Sequence, residues 1–197
     1  MMDGLWAQIF TVGTLAVIIA KTAPLLLAAL GGAITQMGNI LNIGLEGMML
    51  AGAFTSIAVG AATGSPLLGV LAAVAAGLVL AVIFAVATMY FRADEIVVGI
   101  GINLVAAGLT VLLLVVFYGN PGSTPGDVKS RLPQLPLGPL ADIPVIGPAI
   151  SGQTALVWVA FLAVPVYWFV LYRTRFGVHL RAVGEDAVSA SAAGIDA

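Results

Sequence analysis

A chain of 197 residues that is 61% hydrophobic and only 8% charged cannot cover itself with polar surface, since a soluble domain carries about 25% charged residues. The net charge of −2 without a basic patch excludes nucleic acid as a partner, and the lack of Cys removes disulfides, iron–sulfur clusters and thiol nucleophiles. At roughly 20 residues per crossing there is room for about six membrane spans and none for a soluble catalytic domain. The fold class is therefore all-α, a polytopic transmembrane helical bundle read as a single domain over residues 1–197.

The amino terminus carries Asp3 where a signal peptide needs basic residues, so the first apolar run, Leu5 to Ala20, reads as a retained span. Lys21 to Pro24 interrupts it, and Pro24 suits the first turn of a new helix. Leu25 to Thr35 is a second, short apolar segment. Gln36 to Gly47 follows, the most polar and Gly-rich passage inside a hydrophobic region. A third run, Met48 to Ala62, ends at the turn signal Thr63 to Pro66. Leu67 to Phe91 is a fourth span closed by Arg92 to Glu95, and Ile96 to Tyr118 is a fifth. Residues 119–153 hold seven of the ten prolines and form a stiff loop bearing Asp127, Lys129 and Arg131. Thr154 to Tyr172 is the last span, braced at Pro165, and residues 173–197 form a small amphipathic tail.

Lys and Arg near span ends set orientation. Arg173, Arg175 and Arg181 put the tail in the cytoplasm, which makes the 119–153 loop external and Arg92 cytoplasmic. Six spans place the N-terminus in the cytoplasm. If residues 5–35 make one long tilted helix, the count is five and the N-terminus lies outside.

The sequence offers no catalytic residue, no metal site and no cofactor site. His179 is the lone histidine, there is no Gly-x-Ser-x-Gly, and no phosphate-binding G-x-x-x-x-G-K-[ST] is present. The candidates are of another kind. Within 36–47, Asn39, Asn42 and Glu46 lie between short apolar runs. One reading is a discontinuous helix lining a translocation path, with Gly38, Gly44 and Gly47 permitting the break. The other is a cytoplasmic turn with Asn42 as helix N-cap and Glu46 favoured by the dipole of the first turn. Asn103, inside the fifth span, either faces the path or bonds a neighbouring helix. The many Gly and Ala residues allow close helix crossings.

In the tail, Glu185 and Asp186 sit where a helix start wants negative charge and Gly194 where a helix stop wants glycine. The two- to three-turn helix between them would align Val188, Ala192 and Ile195 on one narrow apolar face. A thin cytoplasmic helix of this kind suits a groove on another protein. Its lack of Lys, Trp and Phe argues against a helix lying on the membrane.

The run from Pro24 to Gly32, the segment Asn42-Ile-Gly44-Leu-Glu46-Gly47 to Phe54, and Arg92 to Gly99 resemble the permease subunits of bacterial ABC importers. The likeness is to the simple-sugar and nucleoside branch, related to the ribose and branched-chain amino-acid permeases. Arg181-Ala-Val-Gly184-Glu185-Asp186 with Ala192-Ala-Gly194-Ile195 resembles that family's ATPase-coupling segment. The resemblance implies a multi-pass protein of the bacterial inner membrane that imports a small polar solute, a nucleoside first and a simple sugar second. Its implied partners are two ATP-binding subunits, a second permease and an extracellular substrate-binding protein that lands on the 119–153 loop, besides membrane lipid. Members of that family continue beyond the coupling segment, so the chain reads as C-terminally truncated. The alternative from another class is an ion-coupled secondary transporter or channel using Glu46.

Overall fold

The computed structural model describes residues 11–124, 132–135, 147 and 150–195. Among them, five helices are long and apolar enough to cross a membrane. They are α1 (Val12–Met37), α2 (Leu45–Thr63), α3 (Pro66–Ala85, prolonged by a π-turn over Val86–Tyr90), α4 (Glu95–Tyr118) and α5 (Ala155–Arg173). Two short helices follow, α6 (Arg175–Glu185) and α7 (Ala187–Ala192).

The six-span count gives way to the five-span alternative, because Lys21 to Pro24 does not interrupt α1. Pro24 forfeits the backbone bond to residue 20, a loss that membrane helices tolerate when neighbours support them. That support is visible: Ala23 is buried with Val157 and Ala160 of α5, and Ile19 and Leu26 pack against this cluster. Pro165 likewise sits inside a continuous α5.

The chain divides into two compact units, residues 1–34 with 132–197, and residues 35–131. In the second unit, α2 and α3 form a tight hairpin. Gly64 takes the left-handed conformation (φ 66°) that closes α2, and Pro66 opens α3 where a missing N–H costs nothing. The two helices cross at Gly60 and Gly69: a Cβ on Gly69 would stand 3.2 Å from the Gly60 Cα, so only a hydrogen fits there. Asp94 caps α4, accepting from the Ile96 and Val97 N–H groups at 2.9 and 3.1 Å. In the first unit, α1 and α5 share the Ala23–Val157–Ala160 core. Gln153, just before α5, donates from Nε2 to the Ala16 carbonyl at 2.9 Å.

Candidate functional site

The start of α2 lacks a cap of its own. Its N-cap residue is Gly44, not Asn42, and glycine has no side chain to meet the orphan N–H groups of a first turn. Asn103, two turns into α4, supplies the cap from a different helix. Its Oδ1 accepts from the Gly47 N–H at 2.7 Å, and its Nδ2 donates to the Ile43 carbonyl at 3.0 Å. Asn42 supports the same turn, its Oδ1 accepting from the Gly44 N–H at 3.0 Å. This approach needs glycine on both sides. A Cβ on Gly47 would lie 2.9 Å from Asn103 Cα, and one on Gly99 would lie 2.9 Å from the Gly44 nitrogen.

The structure thus gathers Asn42 and Asn103 on one turn and leaves the other two candidates apart from it. Asn39 ends α1: it adopts φ 59°, its N–H donates to Gln36 O, and the Ile40 N–H reaches back to Thr35 O, each at 3.0 Å. This is the left-handed helix stop usually given to glycine. The break that Gly38, Gly44 and Gly47 are expected to permit begins instead at Asn39, since Asn tolerates that backbone region better than other residues with a Cβ. Glu46 occupies the first turn of α2, as read, and is exposed. No ion pair reaches it among the described residues, so the α2 dipole is its electrostatic complement.

The tail is built on an elbow. Thr174 donates to the Val170 carbonyl at the end of α5 and accepts from the Gly177 N–H at 3.5 Å, joining α5 to α6. Gly177 is buried so closely on the fully buried Leu171 that a Cβ there would fall inside the Leu171 backbone. Arg181 folds back over the elbow, with Nε donating to Gly177 O at 3.2 Å and the guanidinium 4.9 Å from the Tyr172 ring centroid. Gly184 lies in the last turn of α6.

The last helix of the tail is shorter than read. It holds six residues, Ala187–Ala192, because Glu185 ends α6 and Asp186 alone is the N-cap. Asp186 accepts from the Val188 N–H at 2.9 Å and from the Ser189 hydroxyl at 2.6 Å. The Ser189 bond, then those from the backbone, hold its carboxyl below the usual carboxylate range. Gly194 (φ 83°) closes α7 as expected, and Ile195 lies beyond the helix, its N–H on Ala190 O at 3.0 Å. Ala190 is the residue that packs inward, 5% exposed, while Val188 is 80% exposed. Ala192 is exposed too. Asp127, Lys129 and Arg131 lie outside the described residues.

Sequence reading missed the whole of α6; for Asn103 the alternative of a bond to a neighbouring helix holds, but its role as a cap on α2 was missed. The signals were present. Phe176, Leu180 and Val183 recur at helical spacing, and an Asn inside an apolar helix pairs naturally with a helix start that has glycine for its N-cap.

Helices of this length and apolarity, with capped turns between them and a short capped tail, define a polytopic α-helical membrane protein. Residues 14–197 match the family described as branched-chain amino acid transport system / permease component. The chain belongs to that family, which is one of transport permeases and not of enzymes, and it is a multi-pass protein of the bacterial inner membrane. It is 39% identical over 198 residues to the nucleoside ABC transporter permease protein NupC of Lactococcus lactis, covering 94% of this chain and 61% of that one. It is 37% identical over 183 residues to the guanosine ABC transporter permease protein NupQ of Bacillus subtilis, covering 88% and 56%. A putative glucose ABC transporter permease protein, TsgC13 of Haloferax volcanii, is 35% identical over 193 residues, covering 94% and 56%. The chain thus spans 56% to 61% of the length of these curated relatives. No solved structure matches it.

Proposed function

We propose that this chain forms the membrane-spanning body of a permease that imports nucleosides, with a simple sugar as the second solute class, driven by ATP-binding subunits. Similarity to two nucleoside permeases over most of the chain supports the solute class. A second permease and an extracellular substrate-binding protein would complete the transporter, the latter landing on the 119–153 loop. Residues 36–47 form its cytoplasmic turn, at the mouth of the path. There Asn42 and Asn103 shape the wall and Glu46 faces water.

The observation that carries the reading is the tail. Val188 stands 80% exposed on a helix capped at both ends, and that helix follows α6, which the Gly177–Leu171 contact holds stiffly to the last span. An exposed valine on a short, pre-ordered helix is an economical docking knob, because little conformational entropy is left to lose on binding. Residues 173–197 are accordingly the coupling segment, moved when the ATP-binding subunits close.

The test compares wild type with Val188→Asp. The ATP-binding subunit should co-purify with wild type and be depleted at least tenfold with the variant, and ATP-dependent uptake of labelled guanosine should fall in parallel. Unchanged co-purification and uptake in a variant present at normal levels in the membrane would remove the docking assignment.

A further inference from the structure

Among the described residues, one buried side-chain polar atom has no hydrogen-bond partner: the indole Nε1 of Trp158. A buried donor left unmet bears its full desolvation cost, so such an atom asks for an occupant. Trp158 lines a cavity of about 340 Å³ together with Ile19, Ile150, Gln153, Val157 and Phe161. The cavity lies wholly within the first compact unit, beside the start of α5.

Water is a poor occupant. A buried water needs about two to four polar partners, whereas among the described residues this wall is hydrocarbon and aromatic apart from the indole and the Gln153 amide, and Gln153 is already bonded to Ala16. The volume is instead that of an apolar molecule, since an apolar cavity of about 150 Å³ already holds benzene. The level matters as well. Trp158 is the fourth residue of α5, about 5 Å along the axis from the helix start, where indole rings mark the boundary between headgroups and hydrocarbon. Ester carbonyls of phospholipids lie at that depth.

We propose that this cavity takes an acyl chain of a membrane phospholipid, with the chain's ester carbonyl accepting the Trp158 Nε1 hydrogen. The apolar wall holds the chain, and the one free donor selects for the carbonyl.

The experiment uses the permease with Trp6→Phe and Trp168→Phe, which leaves Trp158 as the only indole. Delipidated protein in detergent is titrated with an ester lysophosphatidylcholine and with its ether analogue of equal chain length, following Trp158 emission. The ester lipid should give a saturable red shift, and the ether lipid, lacking the carbonyl, should bind about tenfold more weakly, the effect of one hydrogen bond. Ile19→Phe, which fills the cavity, should abolish the saturable response. Equal affinity for the two lipids, or no saturable response to the ester lipid, overturns the proposal. An equal shift produced by guanosine without lipid also overturns it and assigns the cavity to the solute. The ester–ether comparison is made on an unaltered cavity, so it decides the matter even if Ile19→Phe misfolds.

Discussion

Replacing Asn103 by Ala removes two contacts at once. The Gly47 N–H loses its acceptor and the Ile43 carbonyl loses its donor. Interhelical hydrogen bonds in membranes are worth ~0.6 kcal/mol on average and at most ~1.7, while loss of a helix N-cap costs ~1 kcal/mol. The two bonds together should therefore cost about 1–2 kcal/mol, a shift of roughly 5- to 30-fold in the folded population. Gly47→Ala attacks the same contact from the other side. The new methyl would meet Asn103 Cα and Oδ1 at 2.9 Å, and because one of these is backbone the helices must part, at a cost of about 1–3 kcal/mol. Each change alone breaks one latch, so the double variant should lose about 1 kcal/mol less than the sum of the singles. The assay is reversible unfolding in mixed detergent–denaturant micelles, with hydrogen exchange at the Gly47 amide as the local readout. If Asn103→Ala left stability within about 0.5 kcal/mol of wild type and Gly47 exchange unchanged, the trans-cap would be refuted.

Other perturbations separate the remaining parts. Gly177→Ala should unseat α6 from Leu171, raising proteolysis between residues 173 and 186 while α1 to α5 stay inserted; intact resistance would show that the elbow is not tight. Asp186→Ala should abolish exchange protection at the Val188 amide, whose hydrogen bond it accepts. Because folding lowers the Asp186 pKa, its support for α7 is fully present above the ordinary carboxylate value and is lost as pH falls through the lowered one. Protection at Val188 should hold from neutral pH down to pH 5 and fade only in stronger acid, as amide exchange by NMR would reveal. Glu46→Gln should leave uptake dependent on ATP and insensitive to an ionophore, since an exposed first-turn carboxylate adds only a favourable dipole contact. Uncoupling from a proton or cation gradient in that variant would instead favour a secondary transporter.

What the sequence made legible was what solvent preference dictates. Among the described residues, the long apolar runs became spanning helices, and the turns at Thr63–Pro66 and Arg92–Glu95 fell where Gly, Pro and charge cluster. Lys21 to Pro24 misled because a break signal is local, whereas the helix is held by burial of Ala23 against α5, a contact of high sequence separation. The α6 helix was hidden by its mixed composition: a basic, glycine-containing stretch after a span looks like a tail until Gly177 is seen pressed on Leu171. Asn103 was visible as an anomaly, but its partners were not, since Gly47 and Ile43 lie 56 and 60 residues away.

The choice of Asn rather than a charged group at the α2–α4 contact follows from the surroundings. A charged side chain there would satisfy either a donor or an acceptor, not both. A neutral amide presents one of each, matched here to one backbone N–H and one carbonyl. The same economy governs the charges that remain. Glu46, Glu95 and Arg173 stand in the terminal turns of their helices, and Arg92 and Asp94 lie in the turn between α3 and α4. Lys21 is the exception: it is exposed on α1 and keeps its ammonium near headgroups only by extending its stem along the helix. Replacing Lys21 by Leu should therefore leave folding intact, since no hydrogen bond or ion pair among the described residues depends on it, whereas Asn103→Lys should block assembly of α2 with α4.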